Sequence, residues 1–277
     1  MVFKKYKKII SMIIILILLF AFFTWQNNDI VITEYNYENG KIPVEVNGFK
    51  ILQISDLHNK SFGKDNSHLL NHVKTIAPDI IVITGDFIDR RNSDIEISLD
   101  FARLAVNIAP IYYVSGNHEN WSAKYEKLKS ELEYIGVKVL DNKIAELKIR
   151  SSSINLIGIK DYSFYDDEKS FPKDLQSLVN RDQFNILLSH RPELMDIYVE
   201  SGVDLVLTGH THGGQIRLPL IGGIASPDQG LFPKYDSDIH LENTTSMIVS
   251  RGLGNSIIPV RVFNRPELVI INLFNEK

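Results

Sequence analysis

There is no cysteine among the 277 residues, which excludes a disulfide framework, a thiolate zinc site and a thiol nucleophile together. Positive charge is scarce as well. The formal net charge is −4, and Lys4, Lys5, Lys7 and Lys8 all precede the first acidic residue. The 30 basic residues less these four leave 26 against 34 acidic ones, so no nucleic-acid-coating surface is expected. No serine lies in a Gly-x-Ser-x-Gly elbow, so the usual α/β-hydrolase nucleophile is missing. Fixed-period repeats and low-complexity tracts are also absent, and no protein partner can be inferred. What is present, at 44% hydrophobic residues, suffices for one large α/β domain.

The lysines are followed by Ile9 to Trp25, IISMIIILILLFAFFTW, an apolar run broken only by Ser11 and Thr24. Its length is at the lower limit for crossing a bilayer core. A buried core helix would show a polar face, and a cleaved signal peptide would end in small residues of the Ala-x-Ala kind. Neither feature is present, no twin arginine precedes the run, and there is no cysteine to take a lipid. The segment reads as an uncleaved signal anchor, with a cleaved peptide as the alternative. Lysines lie before it, and Asp29, Glu34 and Glu38 lie after it. The positive-inside rule therefore predicts a single-pass cell-membrane protein with a cytoplasmic N-terminus and the rest of the chain outside the cytoplasm.

Beyond this anchor (1–28), residues 30–37 and 42–46 have strand-like composition around Glu38-Asn39-Gly40-Lys41, and 29–48 reads as a linker and lead-in β-hairpin. From Phe49 short apolar runs alternate with amphipathic stretches. FKILQIS, DIIVITG and IYYVSG are separated by helices near 65–77 and 94–107, and a third helix is expected near 121–135. FNILLSH, a helix near 192–201 and DLVLTGH repeat the style, and strand-like stretches follow at 244–250 and 267–274. Such alternation predicts an α/β domain over 49–277, with parallel strand pairs covered by helices.

Five of these strands end in residues able to bind a metal or a phosphate: Asp56-Leu57-His58, Gly85-Asp86, Gly116-Asn117-His118-Glu119, His190, and Gly209-His210-Thr211-His212. Ligand sites in α/β sheets lie outside the carboxyl ends of the strands, so the five motifs should converge on one crevice. Asp-x-His or Gly-Asp alone is more often a turn. Gly-His-Thr-His is the most specific, since two imidazoles at i and i+2 after a buried strand form a metal claw. Five of the eight histidines fall in the series, which a set of unrelated turns does not explain.

In this order the motifs resemble those of the calcineurin-like metallophosphoesterases, DxH, GD, GNH[ED], H and GHxH, over about residues 49–213. The later Gly213-Gly214-Gln215 and Arg251-Gly252-Leu253-Gly254-Asn255 look like the membrane-associated bacterial branch. The resemblance implies a four-layer αββα sandwich of two mixed β-sheets flanked by helices, and two divalent metal ions. Carried over by motif, Asp56, His58, Asp86 and His212 would hold one ion. Asp86, Asn117, His190 and His210 would hold the other, with Asp86 bridging. Carboxylate, imidazole and amide oxygen together suit Mn²⁺, Fe²⁺ or Zn²⁺, and two such ions can clamp a phosphoryl group and acidify a water. His118 has no metal in this allocation and is the candidate to stabilise or protonate the leaving oxygen. Asp89 matches the carboxylate that orients this histidine in phosphoprotein phosphatases. By the same resemblance Asn117 and Arg90 are candidates for binding substrate, although the family's Arg-Gly reads Arg90-Arg91 here, a departure that counts against Arg90.

The expected activity is hydrolysis of a phosphate ester or pyrophosphate bond on a phosphorylated small molecule or a lipid. A nucleotide or phosphoprotein phosphatase is an alternative, as is a non-catalytic envelope module on the same fold, but the latter should have lost a ligand and none is missing. The stretch Ile216 to Phe232, rich in Gly, Pro and large apolar residues, reads as buried strands and turns or as a lipid-contacting rim.

Overall fold

The computed structural model describes residues 2–92, 94–255 and 259–276. The first helix, α1 (Val2–Asn28), contains one segment, Tyr6–Asn28, long and apolar enough to cross a membrane. Its 23 residues span about 35 Å at ~1.5 Å per residue. Almost none of its apolar surface is covered by the rest of the chain.

Two six-stranded mixed sheets follow. The first contains β1 (Val31–Asn39), β2 (Phe49–Ile54), β3 (Ile80–Thr84), β4 (Ile111–Val114), β5 (Lys138–Val139) and the C-terminal β16 (Glu267–Asn275). Their order is β1-β16-β2-β3-β4-β5. The second contains β6 (Lys143–Ile149), β7 (Ser152–Gly158), β8 (Asn185–Leu188), β9 (Leu205–Thr208), β14 (Asp238–Glu242) and β15 (Thr245–Val249). Their order is β14-β15-β9-β8-β7-β6. Strands β2, β3 and β4 are mutually parallel, as are β8 and β9, so within each sheet the motif-bearing ends emerge at one edge.

Helices α2 (Ser67–Ile76), α3 (Glu96–Ala105) and α5 (Tyr125–Ile135) cover the first sheet, and α6 (Ser170–Leu178) and α7 (Met195–Ser201) cover the second. A single turn, α4 (Asn117–Asn120), precedes α5. The four layers follow from strand alternation. Leu52, Ile54, Ile81 and Ile83 face the helices, whereas Ile51, Ile80 and Val82 face the other sheet. In the second sheet Ile186, Leu188, Leu205 and Leu207 face inward, and Leu187 and Val206 face α6 and α7. Gln53, fully buried between the sheets, donates from Nε2 to the Thr208 carbonyl at 2.8 Å and to Thr84 Oγ1 at 3.0 Å. This ties the two sheets together just behind the strand ends.

Two expectations need correction. Residues 30–37 and 42–46 do not form a hairpin. The β1 strand pairs in parallel with β16 over nine positions, from Val31 opposite Glu267 to Asn39 opposite Asn275, and Val44–Val46 is a turn of 3-10 helix. Pro43 has no N–H to donate to a ladder, and the 3-10 turn buries Ile42 and Val46 while leaving Val44 exposed. The segment is therefore part of the domain rather than a linker. The stretch 216–232 also differs from a set of buried strands. It folds into two small ladders, β10 (Arg217–Leu218) with β11 (Gly222–Gly223) and β12 (Ala225–Ser226) with β13 (Gly230–Leu231). No layer of the sandwich covers them, and Leu220, Ile221, Leu231 and Phe232 are exposed.

Candidate metal centre

The carboxyl ends of β2, β3, β4, β8 and β9 bring together all the sequence-predicted candidates. Asp56, His58, Asp86, Asn117, His118, His190, His210 and His212 are buried in one place, with Asp89 beside them. The backbone turns sharply there. Asp56, His58, Asp86, His210 and His212 all have positive φ, from 48° to 70°, a conformation costly for residues other than glycine that is held where function requires it. Tight packing adds to the constraint. A Cβ on Gly209 would collide with Ser55 Oγ and Asp56 Oδ2. Gly209→Ala is therefore expected to displace Asp56 and destabilise the fold by about 1–3 kcal/mol or more. A wild-type urea midpoint in that variant would contradict this packing.

The ligand atoms face one another in two groups. In the first, His58 Nε2 and His212 Nε2 are 3.1 Å apart, and Asp56 Oδ1 lies 3.4 Å from His212 Nε2. In the second, His190 Nε2 and His210 Nδ1 are 3.2 Å apart. Asp86 Oδ2 lies between the groups, 3.5 Å from His58 Nε2 and 3.3 Å from His190 Nε2. Atoms each about 2.0–2.2 Å from a common metal ion fall roughly this far apart. Direct hydrogen bonds account for the pairing poorly, because the outer nitrogens fix the tautomers. His190 Nδ1 donates to the Thr84 carbonyl at 2.8 Å, and His210 Nε2 donates to Asp228 Oδ2 at 2.8 Å. With both rings neutral the facing nitrogens of this pair would both be lone pairs, and two lone pairs 3.2 Å apart call for a cation between them, a proton or a metal ion.

Electrostatics agree. Burial pushes His58 down to about 3 and His212 well below its usual value, so both rings are neutral donors. Burial would also lower His190, but Asp86 and Asp56 outweigh it and carry the ring up to about 10, so a proton on Nε2 holds the place that a metal ion would take by displacing it. The pocket draws positive charge toward Asp86. Asn117 Oδ1 is buried with no hydrogen-bond partner. An acceptor left bare at this depth is costly unless something electropositive meets it. The donor set of carboxylate, imidazole and amide oxygen thus fits divalent ions.

Supporting groups lie around these atoms. Glu119 accepts from the backbone N–H groups of Asp86, Gly116 and Ile88 at 2.8, 2.7 and 3.1 Å, which locks the β3 and β4 loops together. Burial and the nearby Asp86 push its carboxyl up to about 8, against the pull of those donors. His118 Nδ1 accepts from Arg90 N–H at 3.2 Å, while Asp89 Oδ1 stands 3.5 Å away. Asp89 is itself gripped by Arg91, whose Nε donates to it at 2.9 and 3.1 Å. Although burial would raise Asp89, these bonds hold it below the ordinary carboxylate range. The Arg90 guanidinium lies 4.5 Å over the Trp121 ring at the mouth of the pocket.

Sequence reasoning missed five groups around the centre: Trp121, Asp228, Arg191, Asp161 and Glu193. Trp121 supports Arg90, and Asp228 orients His210. Arg191 bonds Asp228 at 2.6 Å, Asp161 at 2.9 Å and Glu193 at 3.3 Å. The only available signal was adjacency, since Arg191 follows His190 and Trp121 follows the Gly-Asn-His-Glu motif. Asp228 sits in Ser-Pro-Asp-Gln-Gly, which reads as a turn and nothing more.

The family profile for Calcineurin-like phosphoesterase matches residues 49–214. The chain is 30% identical over 246 residues to the uncharacterized metallophosphoesterase YkuE of Bacillus subtilis, covering 87% of this chain and 84% of that protein. It is 26% identical over 237 residues to the phosphodiesterase YaeI of Escherichia coli, covering 81% and 82% respectively. Among solved structures, a dimetal phosphatase from Danio rerio aligns over 75% of this chain and 88% of its own, at 13% identity and a TM-score of 0.47.

Proposed function

The chain belongs to the calcineurin-like phosphoesterases and is a metal-dependent phosphoester hydrolase, and from that premise we propose a membrane-anchored dimetal enzyme acting on a lipid-linked phosphate ester or pyrophosphate. In this reading residues 1–28 are the anchor, and the remainder is one extracytoplasmic catalytic domain. The carrying observation is the position of Asp86 Oδ2 between the two imidazole pairs.

Asp56, His58, Asp86 and His212 would hold one ion, and Asp86, Asn117, His190 and His210 the other, as Mn²⁺, Fe²⁺ or Zn²⁺. When bound, two such ions supply Lewis-acid charge for the phosphoryl oxygens and an acidified water as nucleophile. The chain's own residues do the rest. His118, with Nδ1 accepting from Arg90 N–H, presents its Nε2–H to the leaving oxygen as a hydrogen-bond donor; to give that proton up it must first be imidazolium, with Nδ1–H directed at Asp89 Oδ1, 3.5 Å away, in place of the Arg90 bond. Asp89 acts on that ring through charge and through the loop it shares with Arg90 and Arg91. The Arg90 guanidinium, splayed on Trp121, is placed at the mouth to take a substrate phosphate oxygen.

The lipid reading is supported by two features. An anchor confines the domain near the bilayer, which raises the effective concentration of membrane-borne substrate alone. In addition, Pro227 and Asp228 at the pocket mouth belong to the same 216–232 segment that exposes Leu220 and Phe232. The test compares a lipid-linked phosphate with its water-soluble head group in mixed micelles, using full-length protein. The lipid should be hydrolysed faster. Replacing Leu220 and Ile221 with Ser should reduce that preference while leaving a small soluble ester unaffected. Equal rates on head group and lipid would reduce the anchor to localisation. Orientation has its own measurement: protease added outside intact protoplasts should reach the C-terminus but not an N-terminal tag.

A further inference from the structure

The end of α1 is fastened to the domain rather than tethered to it. Gln26, buried, accepts from Asn264 N–H at 3.2 Å. Asn27 Oδ1 accepts from Arg261 N–H and Asn255 Nδ2, both at 3.2 Å, and its carbonyl accepts from Lys60. Asp29 pairs with Arg265, whose guanidinium lies 4.9 Å over the Trp25 ring. Only Asp29 and Ile30 separate the helix from β1, which is paired along its whole length. Wherever α1 is held, the domain is held in one pose.

That pose carries part of the domain below the level of Trp25. Phe263 packs edge-on against Phe22, with ring centroids 5.8 Å apart. Phe22 lies three residues toward the N-terminus from Trp25, about 4.5 Å farther along the axis at ~1.5 Å per residue. Tryptophan at the end of a spanning helix marks the membrane–water interface, so Phe263 reaches to its membrane side. Its neighbours go with it. Ile216 bridges Val262, Arg217 N–H donates to the Val262 carbonyl at 3.0 Å, and Leu218 to Gly222 line one shallow hollow with Phe263. The second ladder is joined to the first by Ile224 N–H to the Ile216 carbonyl at 2.9 Å, and Phe232 N–H donates to the Ile224 carbonyl at 2.8 Å.

The residues at these tips are the wrong ones for water. Leu220, Phe232 and Phe263 have φ of 69°, 54° and 51°, where glycine or asparagine is the ordinary choice. All three are large, apolar and more than half exposed, Leu220 completely so. Surface turns in water select against both properties, whereas an apolar surrounding selects for the side chains.

We propose that Leu220, Ile221, Leu231, Phe232 and Phe263 form a membrane-seating face, immersed at the acyl–headgroup boundary beside α1, with the pocket mouth at Pro227 and Asp228 fixed close to the bilayer surface. The proposal rests on the reading of α1 as a membrane anchor, and the experiment separates the two. Because the chain has no cysteine, single replacements give a unique thiol for a nitroxide label in full-length protein reconstituted into phosphatidylethanolamine–phosphatidylglycerol nanodiscs. Labels at Leu220→Cys and Phe232→Cys are compared with Phe20→Cys within α1 and Tyr134→Cys, an exposed aromatic on α5. Collision with oxygen relative to a water-soluble nickel chelate should be several-fold higher at 220 and 232 than at 134, approaching the value at 20. Nickel access at 220 and 232 equal to that at 134, with 20 still protected, would overturn the seating face and leave the anchor intact. Nickel access at 20 would instead overturn the anchor. Protection at 220 that appears only with two copies per disc would assign the face to a second chain and overturn the proposal.

Discussion

Asp86→Asn is expected to leave a folded protein with little bound metal and at least roughly 10³-fold less activity, since even one preorganised electrostatic group is worth about 10²–10³ in turnover. The substitution preserves shape, so the Oδ1 position that accepts His118 N–H at 2.8 Å can still be filled by an amide oxygen. What it removes is the negative charge between the two imidazole pairs, 3.5 and 3.3 Å from their nearest nitrogens. Two dications about 4 Å apart repel by roughly 16 kcal/mol at an effective dielectric constant near 20, and a shared carboxylate is the chief local offset. A neutral amide also ligates more weakly and directs N–H groups at sites that need lone pairs. Elemental analysis should show metal content falling from two ions toward one or none, with far-ultraviolet circular dichroism unchanged. Full occupancy and full activity would dismiss the bridging assignment.

How far this site could be read from sequence depended on how local each signal was. Asp56-x-His58 and His210-x-His212 are visible because strand, turn and ligand occur within ten residues of one another, and a buried parallel strand leaves its chemistry at its carboxyl end. The pairing of β1 with β16 was invisible for the opposite reason. The Glu38-Asn39-Gly40-Lys41 turn is a local hairpin signal, while its competitor lies more than 200 residues away and wins by supplying nine paired positions. Asp228 shows the same limit at the level of chemistry. Nothing in its neighbours suggests that it accepts a hydrogen bond from His210 Nε2, because the contact depends on where the 216–232 ladders sit relative to β9. Of the two readings of the 216–232 stretch, the buried one fails because Leu, Ile and Phe in a Gly-rich stretch suggest burial, whereas here they are exposed beside an apolar helix. Composition reports which surroundings a segment prefers, and protein interior and lipid are hard to tell apart on that basis.

His118→Ala is expected to separate proton transfer from metal binding, with the larger effect on poor leaving groups. The ring is buried beside the pocket, where burial lowers its pKa against the opposing pull of Asp86 and Asp89. It does not belong to either imidazole pair, and its Nδ1 is occupied by the Arg90 N–H at 3.2 Å. If Nε2 delivers a proton to the departing oxygen, an alkyl phosphate ester should lose about 10²–10⁴-fold in turnover. A nitrophenyl ester, whose leaving group departs as a stable anion, should lose far less. Metal content should remain near that of the unaltered enzyme, in contrast to Asp86→Asn, which should depress both substrates alike. Turnover must be compared at saturating substrate, because a change confined to KM would mark His118 as a binding group. Equal losses on both esters would remove the general-acid role and leave His118 as an electrostatic stabiliser. A loss of metal together with activity would place its ring, which can approach His58 and Asp86 as a third donor, inside the coordination sphere.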